Sequence, residues 1–206
     1  MSNRILLLCG VISPVVYVVG TVLGAALRPG YSHITDTVSE LMSPGSPNKP
    51  LMHTLFTASA VFSTLFGVGV WQFVRASGRS TTAGVVGAVL LFAVGLVNIL
   101  TAAVFPQDPM GAPATFQGKM HIILVAALSV MAMLATLLLG LWARQVDVLV
   151  GYGTYTLASL TVMLLTGGLA VATTEKPVMG LTERLAVVAV MQWNVVTGLK
   201  LFSLAA

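Results

Sequence analysis

The chain has 206 residues, of which 57% are hydrophobic and only 8% are charged. Soluble domains carry about 25% charged residues, so this composition excludes a water-soluble globular surface. The formal net charge is +4, from ten Lys and Arg against six Asp and Glu residues. The basic residues lie singly at the ends of apolar runs and form no basic stripe. We therefore expect an integral membrane protein that is surrounded by a lipid bilayer and has no nucleic-acid partner.

Six predominantly apolar stretches are each long enough to cross a bilayer, which takes about 20 residues. The predicted spans are 5–27, 51–74, 81–105, 121–143, 149–173 and 185–204. The sequence thus predicts an all-α integral membrane bundle of about six transmembrane helices, organised as one polytopic domain over residues 1–206. Cys9 is the only cysteine, which excludes an intrachain disulfide and any site built from several thiolates.

The predicted connections alternate in length, and the long ones hold most of the proline and polar residues. The first, third and fifth connections therefore share one side of the membrane, opposite the termini. Positively charged residues close to span ends favour the cytoplasmic side. Those on the side of the termini lie in very short segments and predict cytoplasmic termini: Arg4, Arg75, Arg79, Arg144 and Lys200.

The spans contain no charged residue near their centres, which disfavours an ion pump or a voltage sensor. Polar groups at depth include Asn98, Gln192 and Asn194. Interhelical hydrogen bonds are their expected role, at about 0.6 kcal/mol each. A secondary transporter that binds its substrate through these three side chains stays an open alternative.

The first long connection has helical periodicity over residues 31–41. It predicts a short helix that lies at the membrane interface with its apolar face towards the bundle. The opposite face then presents either a proton-accepting or metal-binding surface, or simply a solvated one. The apolar positions are Ile34, Val38 and Leu41, and the ionisable ones are His33, Asp36 and Glu40.

All three histidines are predicted at this same face, because His53 and His121 begin the second and fourth spans and His33 lies in the first long connection. Neutral imidazole and carboxylate groups are ligands for zinc and other divalent metals. No His-x-x-x-His spacing is present, so the ligands would converge from separate helices. A b-type haem held by His53 and His121 is a further alternative.

Several other side chains complete the predicted cluster at this face. We expect Glu40, Glu183 and Arg184 to bind a ligand, because an arginine and carboxylates where a span enters the bilayer can bind a lipid headgroup or a small molecule. Catalytic candidates are the carboxylates Asp36 and Asp108 as general base, and a serine, Ser39 or Ser32, in support.

Five short motifs follow one another along the chain: Arg28-Pro-Gly-Tyr-Ser-His33, Asp36-Thr-Val-Ser-Glu-Leu41, Phe105-Pro-Gln-Asp-Pro109, Gly118-Lys-Met-His121 and Gly180-Leu-Thr-Glu-Arg-Leu185. In this order they resemble a prokaryotic family of small multi-span membrane proteins catalogued as domain of unknown function 998. The resemblance implies a six-helix membrane fold, a shared cluster on the long connections and a prokaryotic cytoplasmic membrane, and it brings no established reaction.

Two functions remain open at the level of sequence. The first is a membrane protein whose polar cluster binds a lipid headgroup or small ligand without catalysis. The second is a metal-dependent membrane hydrolase or lipid-modifying enzyme, in which the histidines hold the ion and an aspartate activates water. Homo-oligomerisation is compatible with either.

Overall fold

The computed structural model describes residues 2–205, which form six α-helices and no strand. All six helices are long and apolar enough to span a membrane, which confirms the predicted all-α membrane fold. Two short 3₁₀ helices lie at Ser39–Met42 and Asp147–Leu149. The helices are α1 (Asn3–Ala26), α2 (Lys49–Ala76), α3 (Thr82–Val104), α4 (Phe116–Ala143), α5 (Val150–Ala172) and α6 (Met179–Leu204).

The six helices form a ring. Each helix packs against the next one in the chain, and α1 packs against α6. The connections 27–48, 105–115 and 173–178 lie together at one end of the ring, which we call the long-loop face. The start of α1, the end of α6 and the connections 77–81 and 144–149 lie at the opposite end, which we call the terminal face.

The close contact between α2 and α3 depends on small residues. A Cβ atom on Gly67 of α2 would lie 2.5 Å from the Cα atom of Phe92 on α3. A Cβ on Gly95 would likewise overlap the backbone of Thr64. Small residues let backbones approach closely in lipid, where dispersion contacts drive helix association. The α2–α3 pair is therefore packed backbone against backbone.

Two helices begin five or six residues before the predicted spans, which places several candidate residues inside helices. Helix α4 begins at Phe116 instead of 121, because the Thr115 hydroxyl caps it by accepting a hydrogen bond from the Gly118 amide at 3.1 Å. Helix α6 begins at Met179 instead of 185. His121 and the Glu183–Arg184 pair consequently lie inside helices, about one turn from their starts.

The predicted interfacial helix over residues 31–41 was wrong in extent, since only the 3₁₀ turn Ser39–Met42 is helical. Its predicted faces hold only in part: Val38 and Leu41 are buried and His33 is exposed, as predicted, whereas Ile34 is 53% exposed and Glu40 is buried at 5%. Tertiary hydrogen bonds provide the reason. The carbonyl oxygens of His33 and Asp36 accept from Arg184, so they are not used in a helical ladder.

Candidate ligand-binding site at the long-loop face

Arg184 fastens the first long connection to α6. Its Nη1 donates to the carbonyl oxygens of His33 at 3.0 Å and Asp36 at 2.8 Å. Its Nη2 donates to the Tyr31 hydroxyl at 2.6 Å, and that hydroxyl donates to the Thr37 carbonyl oxygen at 2.8 Å. Burial raises the pKa of Tyr31 to about 12, although the neighbouring Arg184 charge lowers it. These bonds hold the connection 27–48, which we call the roof, over the long-loop end of the helix ring.

The start of α6 and the roof also meet through backbone contacts. The Leu181 amide donates to the Ile34 carbonyl oxygen at 3.0 Å. A Cβ atom on Gly180 would lie 2.8 Å from the Asp36 amide nitrogen and closer still to its carbonyl oxygen. The Glu183 carboxylate accepts from the Val38 amide at 3.0 Å. Glycine at position 180 is thus what allows α6 to reach the roof.

Within the roof, Arg28 holds Glu40 in place. The Arg28 Nη2 atom lies 3.8 Å from Glu40 Oε2, and Nη1 donates to the Glu40 carbonyl oxygen at 2.6 Å. Burial, followed by the charge of Asp36, raises the pKa of Glu40, whereas Arg28 opposes this rise. The Oε1 atom is buried without a hydrogen-bond partner among residues 2–205. Glu40 therefore points into the protein, away from the solvated face predicted for it.

The two candidate general bases form bonds within their own loops. Asp36 Oδ2 accepts from the Ser32 amide at 2.9 Å. Asp108 accepts from the Thr115 amide at 2.8 Å and from its hydroxyl at 2.7 Å. These two bonds lower the pKa of Asp108. Both carboxylates shape the connections that carry them.

His121 pairs with Ser39. The buried ring places Nδ1 at 2.7 Å from the Phe105 carbonyl oxygen and Nε2 at 3.2 Å from Ser39 Oγ. Because a carbonyl oxygen only accepts, Nδ1 carries the proton of the neutral ring. The Nε2 atom is then the acceptor for the Ser39 hydroxyl. The structure therefore brings two predicted site residues, one from the roof and one from α4, into a direct contact.

The predicted metal ligands do not converge. His33 is exposed and stacks edge-on against Tyr31, with ring centroids 5.6 Å apart, while His53 is half-buried on α2. In the part of the chain that the structure describes, no group of three or more His, Cys, Asp or Glu side chains could hold a metal ion. Both nitrogens of His121 are already hydrogen-bonded. The zinc and haem alternatives gain no support from this geometry.

A cavity of about 270 Å³ lies inside the ring and is lined by side chains of all six helices. Ser39, His121 and Glu183 line it at the long-loop face. Apolar residues from four helices form much of its wall: Val94, Val125, Leu128, Ala132, Met133, Met163 and Val190. The polar residues that line it deeper in the ring include Ser13, Ser59, Ser63, Asn98, Ser129 and Asn194.

The cavity extends deep into the membrane-spanning part. Glu183 and Asn194 are about 16 Å apart along α6, at 1.5 Å per residue. Asn194 is only 8% exposed, and among residues 2–205 its Oδ1 atom has no hydrogen-bond partner. An unsatisfied buried acceptor costs about 1–3 kcal/mol. A polar atom that entered the cavity could therefore be stabilised at this depth.

A comparison with protein families shows to which family the chain belongs. The family model described as a protein of unknown function, DUF998, matches residues 11–200. The chain belongs to the DUF998 family. No curated protein and no solved structure matches it.

In this DUF998 protein, the five motifs quoted above meet at the long-loop face. Arg184, Asp36 and Glu40 hold the roof, and Asp108 shapes the start of α4. Of the residues predicted for the cluster at this face, Ser39, His121 and Glu183 line the cavity, and Asn98 and Asn194, named for the transporter alternative, line it as well. Sequence reasoning missed Tyr31 and the Phe105 carbonyl. Both lie within the quoted motifs, which was the available signal.

Proposed function

We propose that this membrane protein binds an amphipathic, lipid-like molecule inside its helix ring. The polar end of the ligand contacts Ser39, His121 and Glu183, and its apolar part extends along the wall towards Asn194. The single observation that carries this proposal is a cavity with polar groups at the long-loop face and an apolar wall that continues towards the middle of the ring.

The dimensions suit a molecule taken from the surrounding lipid. A bilayer has a hydrocarbon core of about 30 Å, so a depth of about 16 Å corresponds to roughly one leaflet. Ligand pockets are mostly apolar, with a few polar groups that fix orientation. The three polar side chains at the long-loop face provide such groups at headgroup level. The first long connection contributes Val38, Ser39 and Met42 to the same end of the cavity, where the Glu183 carboxylate accepts a hydrogen bond from the Val38 amide.

A matched pair of substitutions on α4 tests the proposal. Ala132→Phe places a large side chain in the cavity, whereas Ala126→Phe places the same group on an exposed position of the same helix. We expect protein purified in mild detergent to retain a lipid-like molecule, identified by mass spectrometry after extraction. Retention should fall at least tenfold in Ala132→Phe and stay unchanged in Ala126→Phe. Equal retention in both variants contradicts the cavity as the binding site.

We further infer that the protein resides in the cytoplasmic membrane of a prokaryote, with its termini in the cytoplasm and the long-loop face outside. Support comes from Arg75, Arg79 and Arg144, which lie in or beside the short connections of the terminal face. Cysteine labelling tests this in a Cys9→Ser background. A membrane-impermeant maleimide should label Ala114→Cys in intact cells and Ser80→Cys only after lysis, and the reverse pattern contradicts the orientation.

A further inference from the structure

The contact between Ser39 and His121 has the arrangement of an activated nucleophile. A serine hydroxyl becomes reactive when a general base lies within hydrogen-bond reach and a third group orients that base. Ser39 Oγ lies 3.2 Å from His121 Nε2, and the Phe105 carbonyl oxygen accepts from Nδ1 at 2.7 Å. That carbonyl fixes both the tautomer and the ring orientation, as a carboxylate does in a triad.

The position of Ser39 and His121 distinguishes their contact from a purely structural hydrogen bond between the roof and α4. Ser39 and His121 both line the cavity, so a molecule within it can reach the hydroxyl. Two other cavity serines, Ser13 and Ser59, lack such a base: Ser59 Oγ donates to the Ser13 carbonyl oxygen at 2.9 Å, and its second neighbour is the Ser13 hydroxyl at 3.2 Å. Ser39 is thus the one hydroxyl among these three that faces an imidazole acceptor.

We propose that Ser39 and His121 form a catalytic dyad that cleaves a carboxylic ester of an amphipathic molecule. Ser39 Oγ attacks the ester carbonyl carbon while its proton passes to His121 Nε2. The bond from that carbon to the alcohol oxygen breaks, and the departing alcohol takes the proton from Nε2. The acyl group is left on Ser39 as an ester.

Water completes the reaction. A water molecule attacks the acyl carbon and gives its proton to His121 Nε2, and the bond from that carbon to Ser39 Oγ breaks. The Ser39 oxygen recovers the proton, so the net change is one ester and one water to one carboxylic acid and one alcohol. The Phe105 carbonyl keeps the bond from Nδ1 throughout.

The shape of the cavity indicates the class of ester. Ser39 lies at its polar end, and the apolar wall runs from there into the ring. An acyl chain or other long apolar group fits this wall, with the ester bond at the level of the dyad. This substrate assignment rests on the proposed binding function, whereas the reactivity of Ser39 does not.

A fluorophosphonate probe, which phosphonylates activated serines with loss of fluoride, tests the dyad on the full chain in detergent. We expect modification at Ser39, located by peptide mass spectrometry, and none in Ser39→Ala. Labelling should fall at least about 100-fold in His121→Ala, the scale of losing a general base. Ser80→Ala, which removes an exposed serine at the terminal face, should be labelled like the unaltered chain. Size-exclusion elution should be the same for all variants.

Hydrolysis of nitrophenyl esters supplies the second readout. Nitrophenyl octanoate should be cleaved faster than nitrophenyl acetate. Ala132→Phe should remove this preference for the longer acyl chain, while Ser39 still reacts with the fluorophosphonate probe. The dyad is wrong if Ser39 is not labelled in well-folded protein, or if His121→Ala is labelled as strongly as the unaltered chain. Neither result contradicts the proposed ligand binding. Labelling at Ser39 without retained lipid supports the dyad and contradicts the proposed binding function.

Discussion

The Nη2 atom of Arg184 lies 2.6 Å from the hydroxyl oxygen of Tyr31, although the two residues are 153 positions apart in the chain. The same guanidinium bonds two carbonyl oxygens of the first long connection. A charged group so close to the membrane is stabilised by these acceptors, since hydrogen bonds to charged groups contribute about 1.5–3 kcal/mol each. The pair therefore determines where the roof lies over the cavity.

Removal of the Tyr31 hydroxyl should loosen the roof. Tyr31→Phe takes one acceptor from Arg184 and one donor from the Thr37 carbonyl, so we expect a loss of about 1–3 kcal/mol in the free energy of unfolding. Thermal unfolding in detergent measures it as a lower midpoint. Arg75→Gln, at the terminal face, is the control with little expected change. A Tyr31→Phe midpoint equal to that control would contradict the account of the roof.

A methyl group at position 180 should push α6 away from the roof. Gly180→Ala brings a Cβ atom against the Asp36 backbone, and overpacking of this kind costs about 1–3 kcal/mol. Gly168→Ala on α5 is the matched control, because its Cβ would meet nothing within 4 Å. We expect a lower unfolding midpoint for Gly180→Ala only. If both variants unfold like the unaltered protein, the close approach of Gly180 and Asp36 is wrong.

The stabilising effect of Asp108 should depend on pH. Its folded-state pKa is lowered from 3.8 by the two hydrogen bonds from Thr115, so its contribution is full above pH 3.8 and is lost as pH falls through the lowered value. Asp108→Asn should therefore lower the unfolding midpoint at pH 7, and the difference should shrink below about pH 3.8. Asp147→Asn, at the terminal face, serves as the control. A difference that is constant from pH 7 to pH 3 would show that ionisation of Asp108 plays no part.

The helix ring could be predicted from the sequence because spans are set by length and hydropathy, which are local properties. The start of α4 could have been placed better, since Thr115 is a good N-cap residue and stands just ahead of Phe116. The conformation of the roof could not be predicted, because it depends on Arg184, which is remote in the chain. The periodicity of residues 31–41 therefore predicted a helix that tertiary hydrogen bonds replace.

The sequence indicated which residues belong to the candidate site better than it indicated which of them are in contact. His121 and Ser39 were both named from sequence, yet nothing in their spacing of 82 positions indicates that they meet. The histidines share one face of the membrane as predicted, but one face of a six-helix ring is wide enough to keep His33 outside the roof. Membrane side follows from counting spans, whereas side-chain convergence requires the packing of helices and loops.

An experimental structure in lipid nanodiscs, solved without added ligand, tests the central claim most directly. The account predicts elongated non-protein density that begins beside Ser39 and His121 and follows the cavity towards Asn194. A cavity that is closed by its own side chains, or that holds only separate water peaks along the same path, would contradict it.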